Sequence, residues 1–146
     1  MRKSLLIGTG AFATVASAQT AAGDGLLAGA WNETVSLRLI DASSSDPSTA
    51  ETSTDTVCYT EEDAADVRRV LLAGAEEDCS VSHFSMIAGK VTMSLTCRFS
   101  GMDFDGDLTG TYGRTSFELR GVMRSRDDTI GVEAAMSARR VGICKA

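Results

Sequence analysis

The sequence predicts a mainly β fold: an antiparallel up-and-down meander of about seven strands forming a barrel or half-barrel, with one short helix and two disulfides. Three observations carry this. Apolar and polar residues alternate with a period of two from Trp31 to the last strand. The turns between these runs are short. Four cysteines, Cys58, Cys79, Cys97 and Cys144, follow a leader of export type.

The leader comes first in the chain. Arg2-Lys3 supplies a positive start, Leu5 to Val15 is an uncharged apolar run, and Ala16-Ser17-Ala18 is a small-residue cleavage site. The apolar run is shorter than the ~20 residues a bilayer span needs. Residues 1–18 are therefore expected to be a signal peptide, which implies a periplasmic or secreted protein with no membrane span after cleavage. Residues 19–28 are small and polar, an expected flexible lead-in to one disulfide-stapled β domain over 29–146.

The first strand is expected over residues 31–40, with Trp31, Glu33, Val35, Leu37 and Leu39 on one face. Residues 41–54 are rich in Ser, Thr and Asp and hold the only proline, Pro47, which predicts an exposed loop. A short strand follows over 54–59. Thr60 is a good N-cap, and Glu61, Glu62 and Asp63 suit the positive end of a helix dipole. Ala64, Val67, Val70 and Leu71 fall on one stripe, so the spacing predicts a single helix over 61–73, stopped at Gly74.

From Cys79 onward strand follows strand. Phe84 and Met86 lead into a turn at Ala88-Gly89, and Val91, Met93, Leu95, Cys97 and Phe99 show the cleanest alternation in the chain. Met102, Phe104 and Leu108 share the next face, then Phe117, Leu119 and Met123, then Ile130 to Ala138. A loop over 125–128 would set Arg120 opposite Glu133 on the outer face.

Four cysteines allow three pairings. Cys97 shares the inward face of its strand. Cys144 keeps the inward parity of Ile130 to Ala138 if that strand runs unbroken. Cys79 has the parity opposite to Phe84 and Met86, and Cys58 and Cys79 bracket the helix. Parity therefore favours Cys58–Cys79 and Cys97–Cys144. Zinc would ask for close pairs such as C-x2-C, and none is present.

Several strings resemble one bacterial exported family: Gly29-Ala30-Trp31-Asn32-Glu33-Thr34-Val35, Cys58-Tyr59-Thr60-Glu61-Glu62-Asp63-Ala64-Ala65, Gly89-Lys90-Val91-Thr92-Met93, Gly110-Thr111-Tyr112 and Ala138-Arg139-Arg140-Val141-Gly142-Ile143-Cys144. The family is domain of unknown function 3617. Asn32, Glu61 and Met93 depart from its usual Glu, Pro and Trp. The resemblance implies a small, mainly β envelope or secreted protein and no activity.

The residues offer little chemistry. His83, the only histidine, is expected to face outward. Paired cysteines supply no thiolate, and no G-x-S-x-G is present. Without Arg2 and Lys3, the 14 basic residues fall to 12 against 20 acidic ones, a net −8. That charge disfavours nucleic acid. No catalytic residue, cofactor or metal is expected. Asp103, Asp105 and Asp107 form a weak calcium candidate, since Arg114 stands where an EF-hand needs Glu, and a solvated strand face is the better reading. Met93, Met102, Met123 and Met136, with Trp31 and Phe117, would line an apolar lumen if the barrel is not packed shut.

Three function classes follow. The first is an exported non-catalytic binding or envelope-associated module holding a small apolar ligand. The second is a structural or protein-partner domain without a small-molecule ligand, meeting an envelope protein through its acidic face. A carboxylate-based enzyme ranks last.

Overall fold

The alternating runs build an open, all-antiparallel sheet with two short helices against one face. The computed structural model describes residues 25–41, 43, 49–73 and 77–145. The elements are β1 (Gly29–Asp41), β2 (Glu51–Tyr59), α1 (Glu61–Ala65), α2 (Val67–Leu72), β3 (Cys79–Ile87), β4 (Lys90–Phe99), β5 (Met102–Gly113), β6 (Ser116–Ser125) and β7 (Ile130–Gly142). The expected signal peptide and Pro47 lie outside the described residues. Residues 25–28, placed by composition in a flexible lead-in, are packed. Leu26 is buried, Leu27 N–H donates to the Arg114 carbonyl, and the Leu27 carbonyl accepts from Trp31 Nε1 at 3.0 Å.

The strand order is β2-β1-β7-β6-β5-β4-β3. The meander is as expected, but the barrel is not. β2 and β3 are the two edges of the seven-stranded sheet and do not pair with each other. The helices, which link those edges in sequence, occupy the inner face instead. Ala64, Val67, Val70 and Leu71 join Trp31, Tyr59, Val91, Phe117 and Leu119 in one core cluster. Polar β2 also discourages closure, since only Tyr59 of its nine residues is buried.

The helical stripe is the one the sequence predicts, but the single helix is broken. Asp66 leaves helical geometry at φ −120°, ψ 79°, and its side chain accepts from Arg69 N–H to start α2. Thr60 caps α1 as expected, within a reciprocal box. Its Oγ accepts from Asp63 N–H at 3.2 Å, and the Asp63 carboxylate accepts from Thr60 N–H at 3.0 Å.

The hairpins explain the register. Ala88-Gly89 and Ser100-Gly101 both have positive φ at both residues, the geometry of two-residue hairpin turns. Between β6 and β7, Ser125 Oγ donates to Asp127 at 2.6 Å and accepts from Ile130 N–H at 3.1 Å. That turn spans residues 126–129, one residue later than expected, so Arg120 faces Ala135 and Glu133 faces Val122. Glu133 pairs instead with Arg38 across β1 and β7. Where β5 and β6 approach closely, a Cβ at Gly110 would overlap the Glu118 carbonyl, and one at Gly121 the Asp107 carbonyl.

The disulfides also correct the expectation. They are Cys58–Cys144 and Cys79–Cys97. A bulge in β3 reverses the expected parity. Val81 pairs with Leu95 and His83 with Ser94, so Ser82 is an extra residue that flips the parity of β3. Cys79 therefore lies opposite Cys97 on the inner face, with a Cα separation of 4.0 Å. At the other end, β7 stops at Gly142, so the inward parity of the strand does not extend to Cys144. By register Ala30 lies between Cys58 and Gly142, and the tail crosses the end of β1 to reach Cys58.

Candidate functional site

Strand pleat gives every inner-face position a fixed role, and the inner face is only partly covered. At one end it is packed beneath the helices. Trp31 stacks at 5.3 Å on Tyr59 and 6.1 Å on Phe117. A second cluster joins Met93, Leu95, Cys97, Phe104, Met123 and Val132. Of the expected lumen residues, Trp31, Met93, Phe117 and Met123 are buried in these clusters, and Met136 is partly buried against the first. They fill space rather than line it. The Tyr59 hydroxyl is buried without a hydrogen-bond partner.

Met102 behaves differently. It lies at the uncovered end, in a groove of about 480 Å³. β1 contributes Leu37 and Leu39, β4 contributes Phe99, and β5 contributes Met102 and Phe104; Ile130 and Val132 of β7 form the floor. Leu37 is 45% exposed and Met102 42%, against 1% for Leu119 in the covered half. Each apolar residue here follows its strand's alternation, so the sequence marks the face correctly. It carries no signal that the helices stop short of this end. The volume falls within the roughly 300–1,000 Å³ of small-molecule sites.

Polar groups at the groove are few. Glu51 of β2 lies opposite Leu37 in the β1–β2 register and lines the groove, as do Thr49 and Ser100. Arg38 reaches the rim but is ion-paired with Glu133. Further along the same face, Glu33 and Asp55 stand directly opposite each other. Burial, and then the Asp55 charge, hold the Glu33 carboxyl above the usual carboxylate value. The sequence placed Glu33 on this face but could not find Asp55, whose orientation depends on the β1–β2 register.

The basic residues have the opposite distribution. By pairing, Arg38, Lys90, Arg98, Arg120, Arg124 and Arg139 all project from the outer face. Arg140 has inner parity, but at the covered end its Nε donates to the Ala28 carbonyl at 2.8 Å.

Asp103, Asp105 and Asp107 do share the outer face of β5, each with its own partner on β4. Arg98 Nε donates to Asp103 at 2.8 Å, Thr96 Oγ1 to Asp105 at 2.6 Å and Ser94 Oγ to Asp107 at 2.6 Å. The Arg98 hydrogen bond holds the Asp103 carboxyl below its usual range. Among the described residues no group of three or more His, Cys, Asp or Glu side chains could hold a metal ion. His83 is exposed on β3. None of the described helices is long and apolar enough to cross a membrane.

No curated protein and no solved structure matches this chain. Residues 26–144 match the profile of a family described as a protein of unknown function, DUF3617. The match begins at buried Leu26 and ends at Cys144, so it takes in the whole sheet and both disulfides. The chain belongs to the DUF3617 family.

Proposed function

We propose that this protein is an exported, non-catalytic binding module whose site is the apolar groove at the uncovered end of the sheet. The observation that carries the reading is the exposure of Leu37, Phe99 and Met102 around one cavity, while Trp31, Val91, Phe117 and Leu119 at the other end of the same face are buried. A contiguous exposed apolar patch in a small domain marks a binding surface. The two disulfides and the leader-like residues 1–18 support an oxidising, extracytoplasmic home.

The non-catalytic part rests on the groove's chemistry. Among the described residues Glu51 is the only carboxylate lining it, so acid–base work by a carboxylate pair has no second member among them. Both cysteine pairs are closed.

The test is a fluorescence titration of the purified protein with the neutral apolar dye N-phenyl-naphthylamine. Saturable binding of one dye per chain is expected, with Leu37→Asp removing it while leaving thermal unfolding nearly unchanged. Absence of saturable binding, or equal binding by the folded variant, would refute the groove as the site.

A further inference from the structure

The charge on the inner face is one-sided. Every basic residue of the strands has outer-face parity except Arg140, which is tied to the Ala28 carbonyl at the covered end; Arg38 reaches the groove rim but is ion-paired with Glu133. Acids do face inward. Glu51 lines the groove opposite Leu37, and Glu33 and Asp55 face each other four residues further along, about 13 Å at the rise of a strand.

Two like charges directly opposite in a sheet destabilise it, and no basic strand residue faces this pair. Glu33 meets Asp55 on β2 and Ala138 on β7, and Ala138 offers no charge. On the outer face some acids are ion-paired: Glu133 with Arg38, and Asp103 with Arg98 and Arg126. The open part of the inner face thus combines an apolar groove with uncompensated negative charge.

We infer that the groove selects a small cationic amphiphile, seating its apolar chain among Leu37, Phe99 and Met102 and its positive head group against Glu51. The Asp55–Glu33 pair adds to the negative field along the same face. An anionic amphiphile such as a fatty acid would meet that field as repulsion, and a neutral one would gain only the apolar contact. The groove volume of about 480 Å³ suits one chain of a small molecule rather than a protein segment.

This inference rests on the groove being a binding site, and the experiment separates the two claims. Decyltrimethylammonium, decanol and decanoate are titrated calorimetrically into the disulfide-bonded protein, below their micelle concentrations. Sedimentation is followed on the same samples. The expected order is cation, then alcohol, then carboxylate, with about a tenfold advantage of cation over alcohol at low salt. Glu51→Gln should cut that advantage severalfold without weakening decanol binding, and Glu33→Gln should cut it less. Equal binding of all three ligands would overturn the charge selection and leave the groove standing. Binding of none would overturn both. A dimer that forms while no amphiphile binds would overturn both as well, assigning the groove to a second copy of the chain.

Discussion

The two ends of the inner face have the same alternating pattern and different fates. Trp31 and Leu39 belong to one face of one strand, yet Trp31 is fully buried and Leu39 is 60% exposed. The difference is not in the strand. It comes from α1 and α2, eleven residues that cover Trp31, Val91 and Phe117 and do not reach Leu37, Phe99 and Met102. Periodicity reports which face of a strand is apolar. It does not report what covers that face.

The sharpest way to break this comparison is to truncate one leucine in each half. Leu119→Ala should cost about 2–5 kcal/mol in denaturant unfolding, because a buried leucine leaves a cavity. Leu37→Ala should cost less than about 1 kcal/mol, because its side chain is already partly in water. Similar costs would mean that the two ends are packed alike.

The disulfides extend the comparison. Cys58–Cys144 closes a sequence separation of 86 residues beside the covered end, and Cys79–Cys97 closes one of 18 near Phe99. Loop-closure entropy makes removal of the longer bridge, with both cysteines changed to serine, costlier by about 1.4 kcal/mol. Unfolding midpoints of the two double variants check this. Peptide mapping should find Cys79 joined to Cys97; a Cys97–Cys144 peptide would refute the register of β3.

The smallest effect concerns Glu33. Its folded carboxyl is raised above the ordinary value of 4.5 by burial and by Asp55. A raised carboxyl favours the folded state fully below its unfolded value, and that contribution is lost as pH rises through the folded value. Glu33→Gln should therefore stabilise the protein at neutral pH, by about 0.2–1 kcal/mol on the scale of a cross-strand pair. The gain should vanish below about pH 4.5. A loss of stability at neutral pH would show that the ionised carboxylate is held by a favourable partner.

Much of the fold was legible in the residues. Alternation placed most of the strands, Thr60 marked the helix start, and Ala88-Gly89 marked a turn, while β2 begins at Glu51 inside what reads as an exposed loop over 41–54. What failed was whatever depends on counting through an irregularity. One extra residue at Ser82 reversed the parity of Cys79 and with it the disulfide pairing. A turn one residue later than expected moved Glu133 from Arg120 to Arg38. Closure of the sheet was not legible either, because strand spacing fixes neighbours but not whether edges meet. Among the site residues, Met102 was expected in the lumen of a barrel and lines an open groove instead, while Glu51 and Asp55 become visible only through the β1–β2 register.

The most direct test of the account is to follow the methionine methyl signals by NMR while titrating the neutral dye. Met102 lies in the open groove, and Met93 and Met123 lie in the packed cluster. The account predicts a saturable shift of the Met102 methyl with Met93 and Met123 unmoved. Shifts at Met93 or Met123 without Met102 would place the ligand in the interior and contradict the division of the inner face into a packed half and an open one.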